Sequence, residues 1–394
     1  MPQYQYLIVG GGMTADSAVR AIRASDPNGT VGIISEEPDP PYLRPPLSKG
    51  LWKGLPFEEV WCRTAELGVD LHLQRRAVTL DVRDHIVRDD RGTTYQFQKL
   101  LLATGGRPRR LQVEVAEEKL IHFRTLDDYR RLEHFAQRAQ RFAVVGGGFI
   151  GSEIAAALAG KGKQVWLIFP EEGIGRRIFP QDLSLFLNQY YREHGVEVLC
   201  GESVHSAKED GEQVRMLTSG QRTLVVDTIV AGIGIEPEVS LARDAGLPLS
   251  NGIAVDEYLR AGHPDIFAAG DVASFFNPHL GKRIRVEHED NARTMGARAG
   301  TNMAGQAEPY DHLPFFYSDL FDLGYEAVGE LNGQWPTLAE WKEPFREGVV
   351  YYLEGARVRG VLLWNVWGKV EEARTLIAEA GPFGPSDLKG RISW

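Results

Sequence analysis

One short pattern occurs twice in this chain and constrains its fold more than any other feature. Gln5-Tyr-Leu-Ile-Val-Gly10-Gly-Gly is an apolar run ending in glycines, and Arg141-Phe-Ala-Val-Val-Gly146-Gly-Gly-Phe-Ile-Gly151 repeats it. Each apolar run reads as a buried strand and each glycine cluster as a tight turn. Met13 to Ala24 and Ile150 to Lys161 read as the helices that follow. Val31 to Ser35 and Gln164 to Phe169 read as the next strands, entered after the Pro27-Asn-Gly29 turn and after Gly162. This is one strand–helix–strand unit used twice. The chain is therefore expected to be α/β, with two Rossmann-like dinucleotide-binding domains.

The turns carry phosphate chemistry. The first is Gly10-x-Gly12-x-x-Ala15 and the second Gly146-x-Gly148-x-x-Gly151. Glycine lets backbone N–H groups approach a pyrophosphate, at a helix N-terminus that favours the anion. An acidic residue is then needed about 20 residues on to bind ribose hydroxyls, and Glu36 and Glu171 stand there. A lone glycine motif is weak. Strand before, helix after and acid beyond make each of these specific. A carboxylate at Glu171 repels a 2′-phosphate and points to NAD over NADP. Arg176 and Arg177 lie close by and read either as a phosphate contact or as solvated side chains. Two more segments, Leu100-Leu-Leu-Ala-Thr-Gly105-Gly and Asp265-Ile-Phe-Ala-Ala-Gly-Asp271, end apolar strands in glycine and aspartate. In this order around two such units they match the architecture of a flavoprotein that binds two dinucleotides, FAD and NAD(H).

The remaining features bound the class. Of the eight tryptophans, five fall after Leu313, where no phosphate-type turn occurs. There Gly348 to Leu353 and Val358 to Trp364 read as a hairpin and Lys369 to Ala380 as a helix, giving an α+β C-terminal domain. The expected boundaries are 1–121 with 240–312 for a discontinuous FAD domain, 122–239 for the NAD domain and 313–394 for the third. A net charge of −10 argues against nucleic acid as a partner. No run approaches the roughly 20 apolar residues of a membrane span, and no leader pattern is read, so a cytoplasmic protein is expected. Cys62 and Cys200 form no CxxC or CxxxxC pair, so an oxidoreductase without a redox-active disulfide is expected. No metal site is read from the sequence.

These residues resemble the pyridine-nucleotide-dependent flavoprotein reductases over essentially the whole chain. Tyr42-Leu-Arg-Pro-Pro-Leu-Ser-Lys49 is similar to a flavin-side motif shared by the apoptosis-inducing-factor group and the ferredoxin reductases of oxygenase systems. Phe316-Tyr-Ser-Asp-Leu-Phe-Asp-Leu-Gly-Tyr-Glu-Ala-Val-Gly329, Val361-Leu-Leu-Trp-Asn365 and Arg285-Val-Glu-His-Glu289 resemble the former group. That resemblance assigns Gly10, Gly12, Ala15, Glu36, Arg44, Lys49, Val78, Arg124, Asp271 and His288 to the FAD environment. It assigns Gly148, Phe149, Glu171, Arg177, Gly234, Glu326 and Asn365 to the nicotinamide nucleotide. Tyr317 stands where the family has a tryptophan beside the flavin, Glu289 replaces a histidine, and the segment after Lys49 is short.

The implied activity is hydride transfer from NADH to FAD, then electron delivery to an acceptor such as an iron–sulfur protein, a quinone or oxygen. The resemblance also implies a long-lived complex of reduced flavin with NAD, and a homodimer whose assembly depends on redox state. Lys49 and Glu153 are the candidates for an ion pair at the flavin; on the residues alone they read equally as a surface lysine and a helix-start glutamate. Phe149 reads as a cover over the flavin or as a core side chain, and His288 as a flavin-edge group or part of a solvated helix start. Two other functions stay open: a ferredoxin or rubredoxin reductase component, and a redox-gated NADH-sensing binding protein.

Overall fold

In the computed structural model, which describes residues 1–393, the first apolar run forms the strand Gln3–Val9. Leu7 and Ile8 are fully buried, as are Leu100, Leu101 and Leu102 of its neighbour Thr94–Leu102. Burial on both faces explains the unbroken apolar runs, because a half-solvated strand would alternate.

The chain divides into two units. The first holds Met1–Arg44, Pro56–Arg107 and Glu236–Pro314. Its main sheet runs in the order Arg260–His263, Ile266–Ala268, Thr94–Leu102, Gln3–Val9, Val31–Ile34, Asp70–His72. The neighbours are parallel except at the Arg260–His263 edge. The register places Val9 beside Ile34 and Leu102, and Leu102 beside Ala268. The chain therefore leaves the sheet at Gly10, Ser35, Ala103 and Ala269 along one carboxyl edge, where open α/β sheets bind ligands. Helix Glu289–Met303 packs against helix Met13–Ser25 at backbone distance. A Cβ on Gly296 would lie 2.4 Å from the Thr14 carbonyl oxygen, and one on Gly300 2.3 Å from that of Ala18.

The second unit holds Pro45–Leu55, Pro108–Ile235 and the chain from Phe315 onward. Its parallel sheet runs Val196–Cys200, Gln164–Phe169, Arg141–Val145, Thr228–Ala231, Leu120–His122. Helix Phe149–Gly160 follows the second glycine turn. The C-terminal part is a five-stranded antiparallel sheet in the order Phe315–Leu320, Leu323–Gly329, Arg357–Trp364, Glu347–Glu354, Thr337–Glu343, with helix Val370–Ala378 beyond it. The expected hairpin is thus present, turning at Glu354-Gly355, where Gly355 takes φ +56°. Two Rossmann-like folds and an α+β C-terminal part make up the chain. The grouping of Pro45–Leu55 with the second unit was not foreseen. Among the described residues, no helix is long and apolar enough to cross a membrane.

Candidate functional site

The first turn is built by exclusion. Gly10 takes φ +115°, and a Cβ there would lie 2.1 Å from the Ala103 carbonyl oxygen, so only glycine fits. Gly12 caps helix Met13–Ser25 with extended backbone and no side-chain hydrogen bond, and a Cβ there would meet nothing within 4 Å. That leaves helix N–H groups facing open space, the cradle a phosphate requires. Ala15 is fully buried under the turn. Gly105, at φ +64°, accepts the Glu238 N–H through its carbonyl oxygen at 2.9 Å. Asp271 lies in the turn Gly270–Val272 at the same carboxyl edge, and its carbonyl oxygen accepts from Arg285 Nη1 at 3.0 Å.

The other first-unit candidates separate by environment. Glu36 is exposed and meets Arg107 Nη2 at 3.3 Å. Arg44 pairs instead with Glu37, whose other carboxylate oxygen accepts from the Tyr42 hydroxyl at 2.5 Å. Burial opposes the Arg44 charge, but Tyr42 and Glu37 outweigh it and hold the guanidinium more firmly protonated than usual. Val78 is 41% exposed on strand Ala77–Asp81, an apolar side chain turned outward. His288 caps helix Glu289–Met303; burial pulls its pKa down to about 4 against the opposing charges of Asp271 and Asp290. Its ring is therefore neutral at pH 7 and has one donor and one acceptor nitrogen.

The second turn repeats the first with one difference. Gly146 takes φ +117°, and a Cβ there would sit 2.3 Å from the Gly232 carbonyl oxygen. Gly148 caps its helix with extended backbone and open space around the missing Cβ. A Cβ on Gly151, however, would approach the Gly146 carbonyl oxygen to 1.8 Å, so the position that is Ala15 in the first turn must be glycine here. Beyond the next strand, Glu171 Oε1 meets Arg177 Nη2 at 2.7 Å, and Arg177 is 83% exposed. Arg176 points elsewhere, binding Glu172 and donating to the Gly333 carbonyl at 2.7 Å. Of the two arginines left open by the sequence, only Arg177 stands at the expected ribose acid. Gly234, at φ +94°, adds a further open turn.

A buried ion pair lies within this unit. Lys49 Nζ is 2.8 Å from Glu153 Oε1, and the Glu153 side chain is 2% exposed. Ser318 Oγ donates to the same oxygen at 2.5 Å and Ser48 Oγ to Oε2 at 2.6 Å. Both carboxylate oxygens are thus satisfied, which a buried charge requires. Lys49 Nζ also lies 5.3 Å from the centre of the Tyr317 ring. Trp52 braces this segment by donating to the Leu47 carbonyl at 2.8 Å and packing edge-on against Tyr129. Ser48 and Ser318 were missed by the sequence analysis. Ser48 adjoins Lys49 in the Leu-Ser-Lys motif, so it carried a signal, whereas Ser318 meets Glu153 only through folding.

Around them, Phe149 packs edge-on against Phe316 at 5.0 Å. Glu326 faces Tyr317 across the strand pair, and burial raises its pKa despite the Gly368 N–H at 3.1 Å. Asn365 adopts φ +51° and uses both side-chain polar atoms on the chain itself, accepting from Gly324 N at 2.7 Å and donating to the Arg346 carbonyl at 2.9 Å. It anchors the loop that carries Gly368. Arg124 belongs to the second unit, with its N–H on Asp128 just ahead of the capped helix Leu126–Arg138. Cys62 and Cys200 are free, and burial pushes the Cys62 thiol up to about 12, which makes it a poor nucleophile.

Residues 4–296 match the family described as pyridine nucleotide-disulphide oxidoreductase, and residues 299–344 and 339–379 match the apoptosis-inducing factor, mitochondrion-associated, C-terminal domain. The chain belongs to the pyridine nucleotide-disulphide oxidoreductase family. Similar proteins include apoptosis-inducing factor 1, mitochondrial, of Dictyostelium discoideum, 33% identical over 95% of this chain and 78% of that protein. The 5,5'-dehydrodivanillate O-demethylase ferredoxin reductase subunit of Sphingobium is 36% identical over 84% of this chain and 82% of that one. Among solved structures, the covalent putidaredoxin reductase–putidaredoxin complex superposes with a TM-score of 0.91 at 27% identity, covering 99% of this chain and 98% of that chain. Within the family this chain is an apoptosis-inducing-factor-like member, an FAD-dependent NAD(H) oxidoreductase.

Proposed function

We propose that the chain oxidises NADH held at the Gly146 turn and delivers the electrons, through FAD held at the Gly10 turn, to a separate acceptor. The observation that carries this reading is the pair of glycine turns, each with open space where the second glycine caps a helix. When bound, FAD supplies the hydride acceptor and a store for two electrons. The residues of the chain bind, orient and set charge. Gly10, Gly12, Ala15, Glu36, Arg44, Val78, Gly105, Arg124, Asp271 and His288 are assigned to the flavin nucleotide, with Lys49 and Tyr317 at the ring. Gly146, Gly148, Phe149, Gly151, Glu171, Arg177, Gly234, Glu326 and Asn365 are assigned to NADH. The Lys49 ammonium faces Glu153 and lies beside the Tyr317 ring, placed to donate to developing negative charge.

NADH is the preferred donor in this reading because Glu171 opposes a 2′-phosphate, and Arg177 moderates that preference. The acceptor is proposed to be an iron–sulfur protein, a reading supported by relatives named as ferredoxin reductases. We also propose slow NAD⁺ release after reduction, a redox-dependent homodimer, the three-domain boundaries given above, and a reducing compartment such as the cytoplasm, which suits two free thiols. Stopped-flow reduction with NADH and NADPH, followed by mixing with a [2Fe–2S] ferredoxin, a quinone or oxygen, tests these readings. Fast NADH reduction with ferredoxin as the fastest acceptor is expected. Reoxidation that is slow with every acceptor, with ligand-dependent association, would favour a sensing role instead.

A further inference from the structure

Three potential metal ligands meet in the first unit, beside the middle of strand Thr94–Leu102 and away from the glycine turn that follows it. They are His85, on the turn between strands Ala77–Asp81 and Ile86–Asp89, with His263 and Asp265, on the turn between Arg260–His263 and Ile266–Ala268. Their ligand atoms all lie within 4.8 Å of one another and all three residues are partly buried. Lys99 adjoins them and precedes Ala103 by four residues, about 13 Å along a strand. The cluster is thus separate from the phosphate turn.

The ligands are held in place before any ion arrives. Both turns are tied to the same strand: the His85 carbonyl accepts the Phe97 N–H at 3.1 Å, and the Asp265 carbonyl accepts that of Leu100 at 2.9 Å. The His85 ring stacks on Phe97 with centroids 5.0 Å apart and planes 6° apart. His263 stands edge-on to His85 at 5.5 Å. The nearest Asp265 oxygen, Oδ2, is 3.7 Å from His85 Nε2, and the other oxygen pairs with Lys99. The Asp265 N–H donates to His263 Nδ1 at 3.2 Å, a long bond that coordination through Nδ1 would replace.

We propose that His85, His263 and Asp265 form a binding site for a transition-metal dication, with Zn²⁺ as the reference ion. Two imidazoles and one carboxylate suit Zn²⁺, Ni²⁺ or Cu²⁺ and not the all-oxygen ions Mg²⁺ or Ca²⁺. Ligands at roughly 2.0–2.2 Å from a tetrahedral zinc lie about 3.4 Å apart, so the three side chains need to draw in modestly. Three protein ligands leave one coordination position for water or a second molecule. Lys99 is the built-in competitor, since its ammonium occupies Asp265 and repels a dication. A bound ion would cross-link the two turns.

The test uses the FAD-loaded protein and Zn²⁺ alone, added as chloride, with the melting temperature and a chelator-competition titration as readouts. Zn²⁺ is expected to raise the melting temperature of the wild type. His85→Phe, which keeps an aromatic ring on Phe97, and His263→Ala should each weaken Zn²⁺ binding by at least about tenfold. Lys99→Met should strengthen it by roughly tenfold, because it removes a cation close to the site. Retained flavin absorbance shows that a variant is folded, and Cu²⁺ electron paramagnetic resonance of the wild type should show two nitrogen ligands. If Zn²⁺ shifts the wild type and both histidine variants equally, or shifts none of them, the assignment is overturned. A Lys99→Met protein that binds Zn²⁺ no more tightly than wild type would equally count against it.

Discussion

Glu153 is a buried carboxylate on helix Phe149–Gly160, paired with Lys49 and hydrogen-bonded by Ser48 and Ser318. Removing Lys49 leaves that charge with two hydroxyl donors, so Lys49→Ala should cost about 3 kcal/mol in chemical denaturation. It should also slow NADH-driven flavin bleaching roughly a hundredfold, the usual loss for a preorganised donor. Ser318→Ala and Ser48→Ala leave the pair intact but free one oxygen from its hydroxyl. Each should slow bleaching by less than Lys49→Ala does, with a smaller loss of stability, about 1 kcal/mol. Wild-type bleaching rates in all three variants would remove this site from the chemistry. His288 carries a separate expectation. Its pKa is about 4 in the folded chain and about 6.5 in an unfolded one. As pH falls below 6.5 the unfolded chain takes up a proton that the folded chain refuses. The contribution of His288 is therefore full above pH 6.5 and is lost as pH falls towards 4. Unfolding free energies at pH 7 and pH 4.5 should diverge less in His288→Gln than in the wild type, by about 2 kcal/mol.

At the scale of elements, the two glycine turns look alike in sequence and differ in tolerance. Gly151→Ala would drive a methyl into the Gly146 carbonyl oxygen and should destabilise the second unit by about 2 kcal/mol. The first turn already carries that methyl, as Ala15. Strand starts, helix starts and the placement of Glu36 and Glu171 beyond the next strand were legible because each follows from a local rule: apolar run, glycine turn, helix cap, residue after the next strand. The C-terminal hairpin was legible for the same reason. What escaped notice is non-local. Ser48 and Ser318 reach Glu153 across 105 and 165 residues, and no spacing in the sequence encodes such a meeting. Asn365, which the resemblance assigns to the nicotinamide nucleotide, also secures Gly324 and Arg346 through its side chain, another meeting across the chain.

For the whole molecule, donor choice in the proposed function rests on the balance between Glu171 and Arg177, which pair at 2.7 Å. Glu171→Ala should bring the kcat/KM values for NADH and NADPH closer together by about tenfold, and Arg177→Ala should widen the gap. Equal values for both donors in the wild type would remove the basis for this reading.

The central claim is that the two turns hold different dinucleotides. Gly12 and Gly148 allow a clean separation, because each has ordinary φ, −95° and −87°, and open space where a Cβ would stand. Alanine there leaves the fold unstrained and intrudes only on a ligand. The direct measurement is an anaerobic NADH titration of purified wild type, Gly12→Ala and Gly148→Ala, following flavin absorbance. The wild type should retain FAD and bleach with one equivalent of NADH. Gly148→Ala should retain FAD and need at least about ten times more NADH, whereas Gly12→Ala should lose FAD. If Gly148→Ala sheds its flavin, or both variants titrate as the wild type does, the assignment of the two turns is wrong.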